Sequence, residues 1–203
     1  MVRVKICGIT NASDAQCALK WGADALGFIF AESPRRVSSQ RVKAIVSAVG
    51  PWVATVGVFV NESVETMKRI AADCRLTAVQ LHGEENAEAA RSLSPLFVIK
   101  TFHASPALDL KKAGEYPADA LLFDTAVQGL PGGTGKVFDW GLLAGSRLPA
   151  RVIVSGGLKP SNVREAVERV RPYGVDVSSG VESAPGKKSA DLIREFILSA
   201  KNA

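Results

Sequence analysis

The feature that most constrains this chain is a rhythm: short runs dense in Val, Ile and Leu recur about every 20 to 30 residues, each followed by an amphipathic stretch. The runs fall at 2–7, 25–30, 53–60, 78–81, 97–101, 120–124, 151–155 and 174–178. Most are continuous rather than alternating, the pattern of parallel strands covered on both faces. Between them lie helix signals. Ser13 and Asp14 open an Ala-rich run that ends near Gly22, and Ser63 precedes "VETMKRIAADC" with Glu65 in its first turn. Near the end, "KPSN" leads into "VREAVERV", and Ser189 leads into "ADLIREFILSAK". Eight units of strand then helix predict a single-domain α/β fold over residues 1–203, a (β/α)8 barrel near the floor of about 200 residues for that architecture. An open doubly wound sheet would want a G-x-G-x-x-G turn after its first strand, where this chain has "CGITNAS" with one glycine.

The longest apolar stretch, "WVATVGVFV", is far short of the roughly 20 residues that cross a bilayer, and the N-terminus is charged, so no membrane association and a cytoplasmic location are expected. Cys7, Cys17 and Cys74 are too scattered for a disulfide framework or a zinc site. The net charge of +5 suits an anionic metabolite or plain solubility, and without aromatic-basic interleaving no nucleic-acid partner is expected. One segment, "GLPGGTGKV", imitates a nucleotide-binding loop. Its first anchor is Leu130 instead of glycine and Lys136 precedes Val137 instead of Ser or Thr, so it reads as a plain loop.

In such a barrel the reacting groups gather at the C-terminal ends of the strands. Polar residues here do the same: Cys7 ends the first run, Arg35 and Arg36 follow the second, and "QLHG", "LLFDT", "VSGG" and "VSSG" end the fourth, sixth, seventh and eighth. The opposite ends carry turn residues. Gly156 and Gly157, with Ser179 and Gly180, would let bare amides close on a phosphate, helped by a short extra helix near Val181. Cys7 and Asp124 would face one cavity as a thiol and a carboxyl able to move protons. Lys5, two residues before Cys7 and so on the same side of the strand, is expected to favour the thiolate. Cys17 and Cys74 read as packing residues, Asp139 as a helix cap, and His82 as either a hydroxyl-binding group or a structural one.

"VKICGIT", "GADALGFIF", "SPRRVS", "VGVFVN", "VQLHG", "LLFDT", "GGTGKVFDW", "SGGL" and "VDVSSGVE" together resemble the phosphoribosylanthranilate isomerase family of tryptophan biosynthesis, over nearly the whole chain. The resemblance implies a barrel that performs an Amadori rearrangement of a small sugar phosphate, without metal or organic cofactor, as a monomer or homodimer. It implies Cys7 as general base and Asp124 as general acid. Arg35 would pair with the anthranilate carboxylate, with Arg36 one position away as the alternative. Gly156, Gly157, Ser179 and Gly180 would hold the phosphate, and Asp176 and His82 would line the pocket. Competing readings are another sugar-phosphate barrel, an isomerase of histidine biosynthesis or an epimerase, and a catalytically silent phosphate- or RNA-binding barrel. The last leaves the paired thiol and carboxyl without a purpose.

Overall fold

A computed structural model describes residues 1–125 and 138–203. Eight parallel strands close a barrel in sequence order: β1 (Arg3–Ile6), β2 (Ala25–Ile29), β3 (Ala54–Phe59), β4 (Ala78–Leu81), β5 (Phe97–Ala104), β6 (Ala120–Thr125), β7 (Arg151–Val154) and β8 (Gly174–Val177). The ring is shut by β1 against β8, with Lys5 opposite Asp176. The expected strands are all present. The main change is β5, which runs three residues beyond its apolar core because Phe102, His103 and Ala104 pair with Phe123, Asp124 and Thr125.

Helices return the chain: α1 (Ala12–Lys20), α2 (Ser39–Val49), α3 (Val64–Cys74), α4 (Ala87–Ser92), α5 (Leu110–Gly114), α6 (Val163–Val170) and α7 (Ala190–Lys201). Side-chain caps set several starts. Asn11, Ser38, Ser63 and Ser189 each accept a hydrogen bond from an amide in the first turn. Before β7 the described chain has only a 3-10 turn, Trp140–Leu142, whose cap is Asp139 as anticipated. Among the described residues no helix is long and apolar enough to cross a membrane.

The extra helix expected near Val181 is a correction. It is one 3-10 turn, Ser179–Val181, and the chain then forms a small hairpin of β9 (Glu182–Ala184) and β10 (Lys187–Lys188). Pro185 and Gly186, the latter at φ +77°, turn the chain back before a second helical turn can form.

Alternate residues on each strand separate two cores. Val4, Ile6, Leu26, Phe28, Leu121 and Phe123 face the helices, while Val56, Ala78, Ile99, Ala120, Leu122 and Ile153 plug the barrel. One step nearer the C-terminal rim the plug turns polar. Lys5, Gln80, Thr101, Ser155 and Asp176 are all buried. Lys5 Nζ donates to Gln80 Oε1 at 2.8 Å and Asp176 Oδ1 at 2.9 Å, Gln80 Nε2 donates to Thr101 Oγ1 at 3.1 Å, and Ser155 Oγ donates to Asp176 Oδ2 at 3.2 Å. Each polar group at this depth has its partner, as burial demands.

Candidate active site

Above this polar layer opens a cavity of about 640 Å³. Cys7, Arg35, His82, Asp124 and Asp176 line it, as do Gly156, Gly157, Ser179 and Gly180. Every site residue anticipated from the sequence therefore shares one chamber. Arg36 does not line it and is exposed.

Cys7 lies just past the end of β1, 6% exposed. Its sulfur occupies space that a side chain at Gly27 would fill, since a Cβ there would sit 2.7 Å from Sγ. The glycine after it answers to two demands: Gly8 adopts φ +73°, and a Cβ would lie 2.7 Å from Cδ of Arg35. Burial pushes the Cys7 thiol above its ordinary pKa; Lys5 and Lys188 pull against that shift, and Asp176 adds to it. The expectation that Lys5 would favour the thiolate has the right sign, but desolvation outweighs it.

Asp124 also moves up, to about 6, chiefly through burial and then the charge of Asp176, against the amide of Thr125, His103 and Lys5. The amide of Thr125 donates to Oδ1 at 2.7 Å. His82 is driven the opposite way, to about 4, by burial, Lys5 and His103, so its ring is neutral near pH 7. Its Nε2 lies 3.8 Å from Asp124 Oδ2, and a neutral ring makes this no ion pair. The hydrogen-bond network assigns its tautomer. Lys5 holds the Gln80 amide oxygen, so the amide nitrogen faces His82 Nδ1 at 3.2 Å; Nδ1 accepts, and the ring proton sits on Nε2 toward Asp124.

On the loop beside Asp124, Gly156 and Gly157 have φ +80° and +67°. A Cβ on Gly156 would overlap Thr125, and one on Gly180 would overlap the Leu158 carbonyl, so the two loops touch backbone to backbone. The amides of Gly156, Gly157, Ser179 and Gly180 find no acceptor among the described residues. The buried Ser178 hydroxyl has no partner there either. Unpaired backbone donors gathered along one cavity wall are the kind of group that can hold an anion.

A thiol, a carboxyl with a raised pKa and unpaired backbone amides thus share one barrel mouth, and the chain that carries them matches a known family. The family model for N-(5'-phosphoribosyl)anthranilate (PRA) isomerase matches residues 4–199. The chain belongs to the phosphoribosylanthranilate isomerase family. A curated phosphoribosylanthranilate isomerase from Thermotoga neapolitana is 50% identical over 204 residues, covering 99% of each chain. A crystal structure of the phosphoribosylanthranilate isomerase from Thermotoga maritima superposes with a TM-score of 0.94 at 46% identity over the whole of both chains. Another phosphoribosylanthranilate isomerase structure, in complex with reduced 1-(o-carboxyphenylamino)-1-deoxyribulose 5-phosphate, superposes at 0.88 with 44% identity, again over the whole of both chains.

Some residues of the site escaped sequence reasoning. Gln80 lines the cavity, and Thr101, Glu182 and Lys188 do not line it but bond to Gln80, Arg35 and Ser178, which do. Gln80 had a signal, since it stands two residues before His82 and so on the same strand face. The "GLPGGTGKV" segment, residues 129–137, lies wholly outside the described residues.

Proposed function

We propose that this chain converts N-(5-phosphoribosyl)anthranilate to 1-(2-carboxyphenylamino)-1-deoxyribulose 5-phosphate in tryptophan biosynthesis, by general acid-base catalysis within one barrel domain in the cytoplasm. The carrying observation is that Cys7 and Asp124 line the same chamber as the amide cradle. In this reading the cradle of Gly156, Gly157, Ser179 and Gly180 tethers the phosphate and Arg35 takes the anthranilate carboxylate. Asp124 protonates the furanose ring oxygen, which opens the ring to a Schiff base. Cys7 removes the C2 proton, and the enolamine tautomerises to the ketone. His82 and Asp176 frame the sugar, His82 offering its Nε2–H to a hydroxyl.

Every step is a proton transfer, so the residues in hand supply the chemistry. Their ordinary charge states oppose it, however. Near pH 7 only about a tenth of Asp124 with a pKa of about 6 carries a proton, and Cys7 is mostly thiol. The reactive pair holds its proton on the carboxyl instead of the sulfur. Substrate anions and expelled water push both groups toward their neutral forms, so the reactive fraction is set by the difference between the two pKas.

The decisive test is incubation of the purified chain with phosphoribosylanthranilate while its fluorescence is followed. Enzyme-dependent loss with the parent mass retained is expected. Persistence of the signal, or release of free anthranilate, would reject the reading. Arg35→Ala should raise KM about 10- to 100-fold, the worth of a charged hydrogen-bond pair, with kcat less affected. Arg36→Ala should leave KM within about twofold, since exposed charges away from a site contribute little; the reverse pattern would transfer the carboxylate to Arg36. Gly180→Ala forces a clash with Leu158 and should weaken inorganic phosphate as a competitive inhibitor about tenfold or more. An unchanged inhibition constant would place the phosphate elsewhere.

A further inference from the structure

Glu182 and Lys188 take no part in the proton transfers, yet they form the most enclosed ion pair of the rim. The two side chains are 5% and 0% exposed. Both stand on the β9–β10 hairpin. Glu182 meets Arg35 two-handed, accepting from Nε at 2.8 Å and Nη2 at 2.7 Å. The same carboxylate accepts from Lys188 Nζ at 2.9 Å and from the Gly186 amide at 3.4 Å. Lys188 Nζ also donates to the Ser178 carbonyl at 3.0 Å. That carbonyl belongs to the peptide unit whose N–H is the Ser179 amide of the cradle.

A guanidinium has two edges that can grip a carboxylate with parallel hydrogen bonds, the Nε–Nη2 side and the Nη1–Nη2 end. Glu182 occupies the side. Nη1 has no protein partner among the described residues, and Arg35 lines the chamber. Two cations and one anion leave the cluster with a net positive charge for an arriving anion. If Glu182 served only to neutralise buried charge, a single oxygen on each cation would do; the fork-to-fork geometry sets the plane of the guanidinium as well.

We propose that Glu182, tied to Lys188, is a positioning residue: it turns the open end of Arg35 toward a substrate carboxylate and sets the spacing of that end from the Ser178–Ser179 peptide at the phosphate side. The hairpin is then a ruler between the two anionic ends of one ligand. This rests on the function proposed above.

The test compares two ligands on the full chain by calorimetry: reduced 1-(o-carboxyphenylamino)-1-deoxyribulose 5-phosphate, and the same compound without its carboxyl group. Wild type should prefer the carboxylated ligand. Glu182→Gln should weaken that ligand about 10- to 100-fold, the worth of one misdirected charge-assisted pair, and leave the other within about twofold, with KM rising more than kcat falls. Glu182→Gln/Lys188→Met, which removes a cation along with the anion, should also lose the preference. A preference retained in folded variants, or equal weakening of both ligands by Glu182→Gln, overturns the proposal while leaving the function intact. Absence of any preference in wild type overturns the proposal and the carboxylate role of Arg35, while the fluorescence assay alone decides the isomerase reading. Failure of both variants to fold assigns the pair to stability alone and overturns the proposal too.

Discussion

Asp124→Asn is expected to lower kcat by about 10²- to 10⁴-fold, the usual worth of a general acid, with little change in KM. The substitution keeps shape and one acceptor while removing the only proton the group can give. The pH profile sharpens the test. Wild-type kcat/KM should rise with pH through about 6, where Asp124 titrates, level off, and fall above the raised pKa of Cys7. The limbs look inverted for an acid and a base. They follow because the reactive form carries one proton on the pair, and either losing it or gaining a second removes that form. Asp124→Asn should erase the low-pH limb. A variant that keeps near-full turnover, or a limb near 6 that survives the substitution, would remove Asp124 from the role of acid.

Cys7→Ala is the second large effect, again about 10²- to 10⁴-fold in kcat. The thiol occupies a notch shaped by Gly27, so alanine leaves a gap smaller than a side chain and the fold should persist. The companion measurement is alkylation of Cys7 by iodoacetamide against pH. Its midpoint should lie above that of a free thiol, because burial outweighs Lys5 and Lys188, and Lys5→Met should move it higher still. A midpoint below the free-thiol value would mean that the lysines win. Undiminished turnover in Cys7→Ala would require another base.

The barrel was legible because burial on both strand faces writes itself as mostly continuous apolar runs, and the rim because the chemically versatile residues Cys7, His82 and Asp124 fall at or just past the C-terminal ends of those runs. Cys7, His82 and Asp124 could be placed by counting along single strands, whereas Asp176 entered only through the family resemblance. Arg35 was narrowed to a pair of neighbours, and its distinction from Arg36 came only from the side chain folding over Gly8 to reach Glu182. That contact spans 147 positions, with partners on a hairpin two or three residues per strand, too short for any period to show. The ionisation of Cys7 was hidden for a different reason. Its direction is a balance between desolvation and two lysines, one of them, Lys188, near the far end of the chain, and residue order does not reveal which side prevails.

The hydrogen-bonded layer of Lys5, Gln80, Thr101, Ser155 and Asp176 divides the barrel into two storeys. Beneath it the apolar plug carries cohesion; above it the loops carry chemistry. Selection for a different sugar phosphate can therefore rewrite the upper storey while the foundations go untouched, and a laboratory lineage begun from this chain would collect its useful changes on one side of that floor.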